Sequence, residues 1–286
     1  MNAKIAQPDT FAFGANWTKF LSTVNESRIE AAQKSLVDLL NESDLKSKRF
    51  LDVGSGSGLF SLAANQLGAE VTSIDIDAQS VACTSEIRRR YGEVMNDWVV
   101  EEGSVLDRNF ITGLGLFDIV YCWGVAHHTG KMWDAIENLS NCVRPNGKLV
   151  LAIYNDQLYV SKIWKSIKQL YNRLPAILRP IVVLGVGSVI FAKRFCVTTA
   201  ASLLRLITLR NPFIPFLNWI REVKGRGMHV WFDLVDWVGG WPFEVAKPEE
   251  IFRAMRDKGF ILSELITSQG PGCNEFVFIK SGGVYS

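Results

Sequence analysis

The sequence predicts an α/β fold, a doubly wound parallel sheet carrying a large helical insertion, and three observations carry that prediction. Short β-branched apolar runs alternate with helical segments from Arg49 onward. The first such run enters a glycine cluster, as a buried strand does when it turns sharply into a helix. The 286 residues, 48% hydrophobic and 21% charged, suit one large domain with an elaboration.

Taken in order, Phe11 to Phe20 is an aromatic segment and Asn25 to Leu40 a helix, a pair read as an N-terminal cap in which Phe13, Trp17 and Phe20 serve as core packing. Arg49 to Val53 is the first strand, Leu59 to Leu67 a helix ended by Gly68, and Glu70 to Ile76 the second strand. Asp77 is placed to N-cap a helix reaching Tyr91, with Gly92 past its end. Trp98 to Glu101 and Phe117 to Trp123 are strands three and four. An amphipathic helix over Met132 to Val143 stops at Arg144-Pro145-Asn146-Gly147, read as a turn, and Lys148 to Tyr154 is strand five. No internal repeat is visible.

Charge and cysteine usage narrow the function classes. The five cysteines are widely spaced with no C-x-x-C pair, which argues against a disulfide framework and a zinc site and favours a reducing, cytoplasmic setting. The N-terminus lacks the apolar core of a signal peptide. The net charge of +2 conceals an asymmetry: between Asp156 and Arg226 stand twelve Lys/Arg against Asp156 and Glu222 alone. The same stretch holds the apolar run Ile181 to Ala192, whose twelve residues fall short of the roughly 20 that a bilayer-spanning helix needs. Val160 to Leu174 reads as a helix with an apolar stripe and with Lys162, Lys165 and Lys168 mostly outside it. A basic amphipathic helix beside an apolar run suits peripheral membrane contact through 160–215, and equally a buried cap with a solvated basic face. No nucleic-acid module or motif is present, so no nucleic-acid partner is expected.

The informative motif is Asp52-Val53-Gly54-Ser55-Gly56-Ser57-Gly58 at the end of the first strand. Glycines there let a ligand approach main-chain N–H groups at a helix start. The dinucleotide fingerprint G-x-G-x-x-G does not close in either register, which disfavours a nicotinamide-dependent oxidoreductase. Asp52-x-Gly54-x-Gly56-x-Gly58 instead resembles the first motif of class I S-adenosylmethionine-dependent methyltransferases, and four later segments fit the same family in order. Asp75 stands at the family's ribose-binding acid, where a carboxylate is a bidentate acceptor for two hydroxyls. Ile76 falls where the adenine lies, and Gly103-Ser104-Val105 matches the segment bordering its exocyclic amine, although many relatives carry Asp where Ser104 stands. Asp118 to His128 resembles the fourth motif of the quinone-biosynthesis and small-molecule branch, with Cys122 and Trp123 as core or cofactor-wall residues. Arg144-Pro145-Asn146-Gly147 resembles that branch's R-P-G-G turn, with Asn146 in place of a glycine.

The resemblance covers about half of the chain. It implies a Rossmann-like seven-stranded sheet with an antiparallel last strand, and a cofactor site of Asp52, Gly54, Ser55, Gly56, Gly58, Asp75, Ile76, Gly103, Ser104, Val105, Cys122 and Trp123. It implies S-adenosyl-L-methionine as methyl donor and S-adenosyl-L-homocysteine as product. Pro248 to Lys258 then becomes the last helix, Phe260 to Ile266 and Glu275 to Lys280 the final strands. The domain reading is an N-terminal helical cap over 1–44, a methyltransferase core over 45–155 and 248–286, and a basic, mainly helical substrate lid over 156–247.

A sulfonium methyl is already electrophilic, so catalysis needs placement, exclusion of water and, for a hydroxyl acceptor, a base. His127 and His128 follow strand four at the carboxyl edge where open α/β sheets bind ligands. His128 is a candidate base or a wall residue, and His127 a candidate acceptor contact. In the insertion, His229, Asp233 and Asp236 share one face if their segment is helical. That trio suits a base assembly, His229 with Asp233 catalytic and Asp236 binding substrate, or a solvated polar face, and less readily a metal site. Asn274, at the start of an antiparallel final strand, is a further substrate-binding candidate. The reading is methyl transfer to an oxygen or nitrogen of a small-molecule or lipid-linked acceptor, in the cytoplasm or peripherally at the inner membrane surface. The alternatives are a non-catalytic cofactor-binding protein working at membranes and, less favoured, an RNA methyltransferase.

Overall fold

The computed structural model describes residues 21, 24–92, 97–225, 230–270 and 272–282. The chain divides into two units, one of residues 1–163 and 242–286, the other of residues 164–241. The aromatic segment Phe11 to Phe20, with Phe13 and Trp17, lies outside the described residues.

In the first unit, helix α1 (Glu26–Leu40) starts where the Asn25 side chain accepts the Arg28 N–H, and it stops at Asn41 in the left-handed region. Strand β1 (Arg49–Val53) leads through the glycine cluster into α2 (Leu59–Gln66). Strand β2 (Glu70–Asp75) is followed by α3 (Ala78–Tyr91), capped as expected by the Asp77 carboxylate accepting from the Gln79 and Ser80 N–H groups. Strand β3 (Trp98–Glu102), the short helix α4 (Arg108–Gly113) and strand β4 (Phe117–Trp123) come next. A single 3-10 turn over Ala126–His128, α5 (Met132–Asn141) and β5 (Val143–Tyr154) complete the run.

The chain leaves this unit along α6 (Tyr159–Arg173) and returns for α10 (Pro248–Arg256), β6 (Phe260–Ile266) and β7 (Cys273–Lys280). The seven strands lie in the order β3-β2-β1-β4-β5-β7-β6. All neighbours are parallel except β7, which runs antiparallel to both β5 and β6. This is the seven-stranded fold that the resemblance implies.

Period-two burial explains why both faces are covered. Leu51, Val120, Leu149, Leu151, Phe276 and Phe278 belong to the core against α5 and α10. Their strand neighbours Phe50, Ile119, Tyr121, Val150 and Val277 belong to the opposite core against α1 to α3. There Tyr121 stacks between Phe50 and Phe60, with ring centroids 5.8 and 5.3 Å away. Each such buried side chain stabilises by about 1.5–3 kcal/mol.

Two expectations about this unit are corrected. Arg144 to Gly147 does not precede strand five but lies within it: Phe117 pairs with Val143 and Ile119 with Lys148, so four residues bulge against Asp118 alone. Asn146, at φ 63, makes the left-handed turn, and the Asp118 carboxylate holds the bulge by accepting from the Arg49 N–H and the Arg144 guanidinium. The segment Pro242 to Lys247, expected in the insertion, belongs to the sheet unit, where Ala246 bridges Asn155 beyond the end of β5.

The second unit is helical, with most of α6, then α7 (Arg179–Ile207), α8 (Ile214–Gly225) and α9 (Val230–Gly239). The apolar run Ile181 to Ala192 is only the first half of α7, whose 29 residues make it long and apolar enough to cross a membrane by length and composition. Lys168 departs from the expected solvated face. It is wholly buried, donates to the Trp237 carbonyl and lies 4.9 Å from the centroid of the Trp237 ring. Burial pulls its pKa down from 10.5 to about 7.

Two outcomes follow. Gly54 has φ +72, and a methyl group there would stand 2.3 Å from Val125 Cγ2. Gly54→Ala is therefore expected to cost about 2–5 kcal/mol in urea unfolding, with part recovered by adding Val125→Ala. Between pH 7 and 10.5 the unfolded chain keeps the Lys168 proton that the folded chain releases, so stability rises with pH across that window. Lys168→Met should remove this slope and raise the thermal midpoint at pH 6; an unchanged slope would show that the ammonium is not desolvated.

Candidate functional site

The carboxyl edge of the sheet is shaped first by the glycine loop. Gly54, Gly56 and Gly58 take φ values of 72, 55 and 80, which side-chain-bearing residues rarely adopt. The Gly54 and Ser55 N–H groups both donate to the Ile74 carbonyl, tying the loop to the end of β2. Ser55 and Thr84 bring their hydroxyls to 2.9 Å, and a Cβ on Gly58 would meet the Thr84 Cα at 2.9 Å, so α3 packs directly on the loop.

Asp75 ends β2 beside this loop. One carboxylate oxygen accepts the Gly56 N–H at 3.0 Å and the other the Asp77 N–H at 2.9 Å. Burial pushes its pKa up, and these N–H groups pull against it. Each oxygen keeps a second lone-pair direction, so the carboxylate can hold a pair of hydroxyls without losing the loop. Ile76 is 43% exposed and Trp123 44% exposed, two large apolar side chains uncovered at the ends of β2 and β4, the strands on either side of β1. Gly103 donates its N–H to the Asp75 carbonyl, and Ser104 Oγ accepts the Leu106 N–H to start the following turn.

Other members of the expected cofactor set face inward. Asp52 is buried and ends a hydrogen-bond relay in which Trp98 Nε1–H donates to Ser73 Oγ, Ser73 to Ser61 Oγ and Ser61 to the Asp52 carboxylate. That relay joins β1, β2 and β3 to α2. Val105 and Cys122 lie in the core, and burial pushes the Cys122 thiol up to about 12, which removes it as a nucleophile at neutral pH.

Across the edge, His127 and His128 occupy the 3-10 turn after β4 and meet Tyr154 at the end of β5. The His127 ring lies 3.9 Å and the His128 ring 5.4 Å from the Tyr154 ring, with Phe243 5.3 Å beyond. The returning segment binds this corner together: Glu244 N–H donates to His127 O, Ala246 N–H to Tyr154 O, and the Glu244 carboxylate accepts the Met132 N–H. His128 Nδ1 stands 2.7 Å from the Pro242 carbonyl. A carbonyl only accepts, so Nδ1 carries a proton, and whenever the ring is neutral its lone pair belongs to Nε2.

Three sequence expectations end differently. Asn274 reaches the predicted edge but is 1% exposed, its amide donating to Asn155 Oδ1 and its oxygen accepting the Ser268 N–H; it braces a loop and presents no face to a substrate. His127 is equally buried, beneath its ring neighbours. His229 and the side chains of Asp233 and Asp236 lie outside the described residues, although the backbone from Val230 is helical. Sequence reasoning missed Tyr154 and Phe243. Extending the carboxyl-edge rule from strand four to strand five would have found Tyr154; Phe243 carries no such signal, because only the return of the chain brings it there.

Residues 51–149, running from β1 into β5, match the family described as "Methyltransferase domain". Over this stretch the chain is similar to a methyltransferase domain. Among curated relatives, the mitochondrial ubiquinone biosynthesis O-methyltransferase of Schizosaccharomyces pombe is 27% identical over 139 residues, 47% of this chain and 47% of that protein. The ribosomal protein L11 methyltransferase of Prochlorococcus marinus is 35% identical over 115 residues, 38% of this chain and 36% of that one. The chain thus spans less than half the length of these two relatives, and both alignments are shorter than the chain's own sheet unit. Among solved structures, magnesium protoporphyrin IX methyltransferase from Synechocystis PCC 6803, with bound S-adenosylhomocysteine, superposes with a TM-score of 0.52 at 16% identity, covering 94% of this chain and 95% of that one. That likeness is one of fold. The carboxyl edge owes its glycine loop and acidic strand end to the matched stretch; the Pro242 to Ala246 segment that completes its second corner lies outside it.

The Asp52 carboxyl supplies a test of how the domain is built. Burial raises its pKa from 3.8 to about 7, with the charge on Asp75 adding to the rise. Between those values the folded chain holds a proton that the unfolded chain has released, so stability declines as pH rises from 4 to 7. Asp52→Asn, which can still accept from Ser61, is expected to flatten that decline in thermal melts at pH 4 to 7; an unaltered profile would place the titration elsewhere.

Proposed function

We propose that the chain transfers a methyl group from S-adenosyl-L-methionine to an oxygen or nitrogen of a small-molecule or lipid-linked acceptor, with His128 as the base. The observation that carries the acceptor half is the fixed tautomer of His128: its Nδ1 proton is committed to the Pro242 carbonyl. The cofactor fits the residues present. The left-handed glycine loop leaves room for close approach, Asp75 offers carboxylate oxygens to a diol, and the uncovered side chains of Ile76 and Trp123 offer apolar surface to a flat ring.

When bound, S-adenosylmethionine supplies a methyl on a positively charged sulfur, ready for in-line attack. The chain's part is placement and proton removal. His128 Nε2 takes the proton from the acceptor hydroxyl or ammonium, and the carbonyl of Pro242 steadies the imidazolium that results. Tyr154 and Phe243 give that corner an apolar, aromatic wall, which favours a carbon-rich acceptor over an extended polymer. The relatives named for ubiquinone biosynthesis lend the small-molecule class modest support.

Calorimetric titration with S-adenosylhomocysteine is expected to give micromolar affinity, weakened at least tenfold in Asp75→Ala. His128→Gln should keep that affinity within about twofold and lower turnover by about 100- to 10,000-fold with an active acceptor. Absence of binding by folded protein overturns the cofactor reading. Full turnover by His128→Gln overturns the base and leaves the cofactor reading standing.

A further inference from the structure

We propose that α7 is an interfacial membrane helix, lying in the plane of an anionic bilayer surface. The inference rests on the helical unit alone and not on methyl transfer. Along α7, Ile181, Val189, Cys196, Leu203 and Ile207 fall within an arc of about 80° at 100° per residue, and all are exposed. No charged residue stands on that line over its length of roughly 40 Å. The helix has partners, but on another side: Phe191 meets Trp219 and Phe195 meets Phe216 of α8, while Gly187 faces Leu234 of α9. Past the end of α7, Leu209 is 97% exposed and Phe213 69%, extending the uncovered apolar surface into the loop before α8.

Charge selects the occupant. The helix carries Arg179, Lys193, Arg194 and Arg205 and no acidic residue, within a stretch of twelve basic and two acidic side chains. A second copy of the chain would bring the same positive charge against itself, whereas anionic headgroups complement it. Charge also selects the orientation. Lys193 and Arg194 stand at the middle of the 29 residues, so a helix crossing the bilayer would hold both at its centre, the costliest depth for a cation. A helix lying in the plane on that line lets the Lys193 stem run along its side and its head reach the phosphates, while Arg194 stands on the far side of the helix from the line. The composition that makes α7 long and apolar enough to span thus serves an in-plane helix better.

Cys196 provides the probe, since Cys83, Cys122 and Cys142 are buried and Cys273 is half-buried. The full chain, labelled at Cys196 with an environment-sensitive fluorophore, is mixed with phosphatidylcholine vesicles with or without about one-third phosphatidylglycerol. The expected result is co-sedimentation with the anionic vesicles, a blue shift, and stronger quenching by a shallow than by a deep lipid-borne quencher. Partitioning should fall at least tenfold in high salt, and at least tenfold in the unlabelled double variant Val189→Asp, Leu203→Asp at unchanged far-ultraviolet circular dichroism. The proposal is overturned if the chain stays in the supernatant with both vesicles, or if the double variant partitions like the parent. Stronger quenching at depth would overturn the in-plane orientation, and self-association through the same line without vesicle binding would overturn the lipid.

Discussion

The steric closeness of Gly54 to Val125 is the constraint on which the carboxyl edge depends. With only a hydrogen on its Cα, Gly54 lets the loop after β1 pass under the loop after β4, and the Ile74 carbonyl then gathers the Gly54 and Ser55 N–H groups onto the end of β2. Three strand ends are thereby brought to one level before any ligand is considered. Asp75 accepts from Gly56, α3 packs on Gly58, and the turn bearing His127 and His128 begins directly after Val125. A bulkier residue at Gly54 would lift one strand end off another and move all of these together.

Beneath that edge, polar groups hold the strands in place. The relay from Trp98 through Ser73 and Ser61 to Asp52 runs through the interior between three strands and a helix, and it is directional because Ser61 spends its one hydroxyl proton on Asp52 and so accepts from Ser73. Its terminal carboxyl bears the cost of burial, which is why its pKa is raised. On the other flank, the Pro242 to Ala246 segment joins the turn after β4 to the end of β5 through main-chain hydrogen bonds and sets the tautomer of a histidine 114 residues away in sequence. One side of the edge is thus organised locally, the other by a return of the chain.

The helical unit follows a different logic. Its interior is small enough that Lys168 is enclosed beside Trp237, while much of α7 leaves large apolar side chains uncovered. A soluble monomer rarely leaves so much contiguous apolar surface exposed without a use for it.

The sheet was legible because its signals are local. β1, β4 and β6 match their sequence boundaries residue for residue, since glycine, aspartate and proline punctuate runs of clear period. The Gly54 to Gly58 loop and Asp75 were legible too, because that chemistry sits within 25 residues of chain. Long-range facts were hidden. Lys168 looked solvated because helical periodicity cannot see a second helix laid over it, and Asn274 looked available because an edge position says nothing of the loop it braces. The bulge at Arg144 to Gly147 was read as a break because composition marks the left-handed Asn146, whereas the pairing on either side depends on Asp118 in another strand. The sequence by itself determined the order and type of the strands and the ligand-facing loop, through periodicity and turn chemistry. Only the tertiary structure decided which polar side chains face inward and which histidine nitrogen bears the proton, because those depend on partners more than 60 residues away.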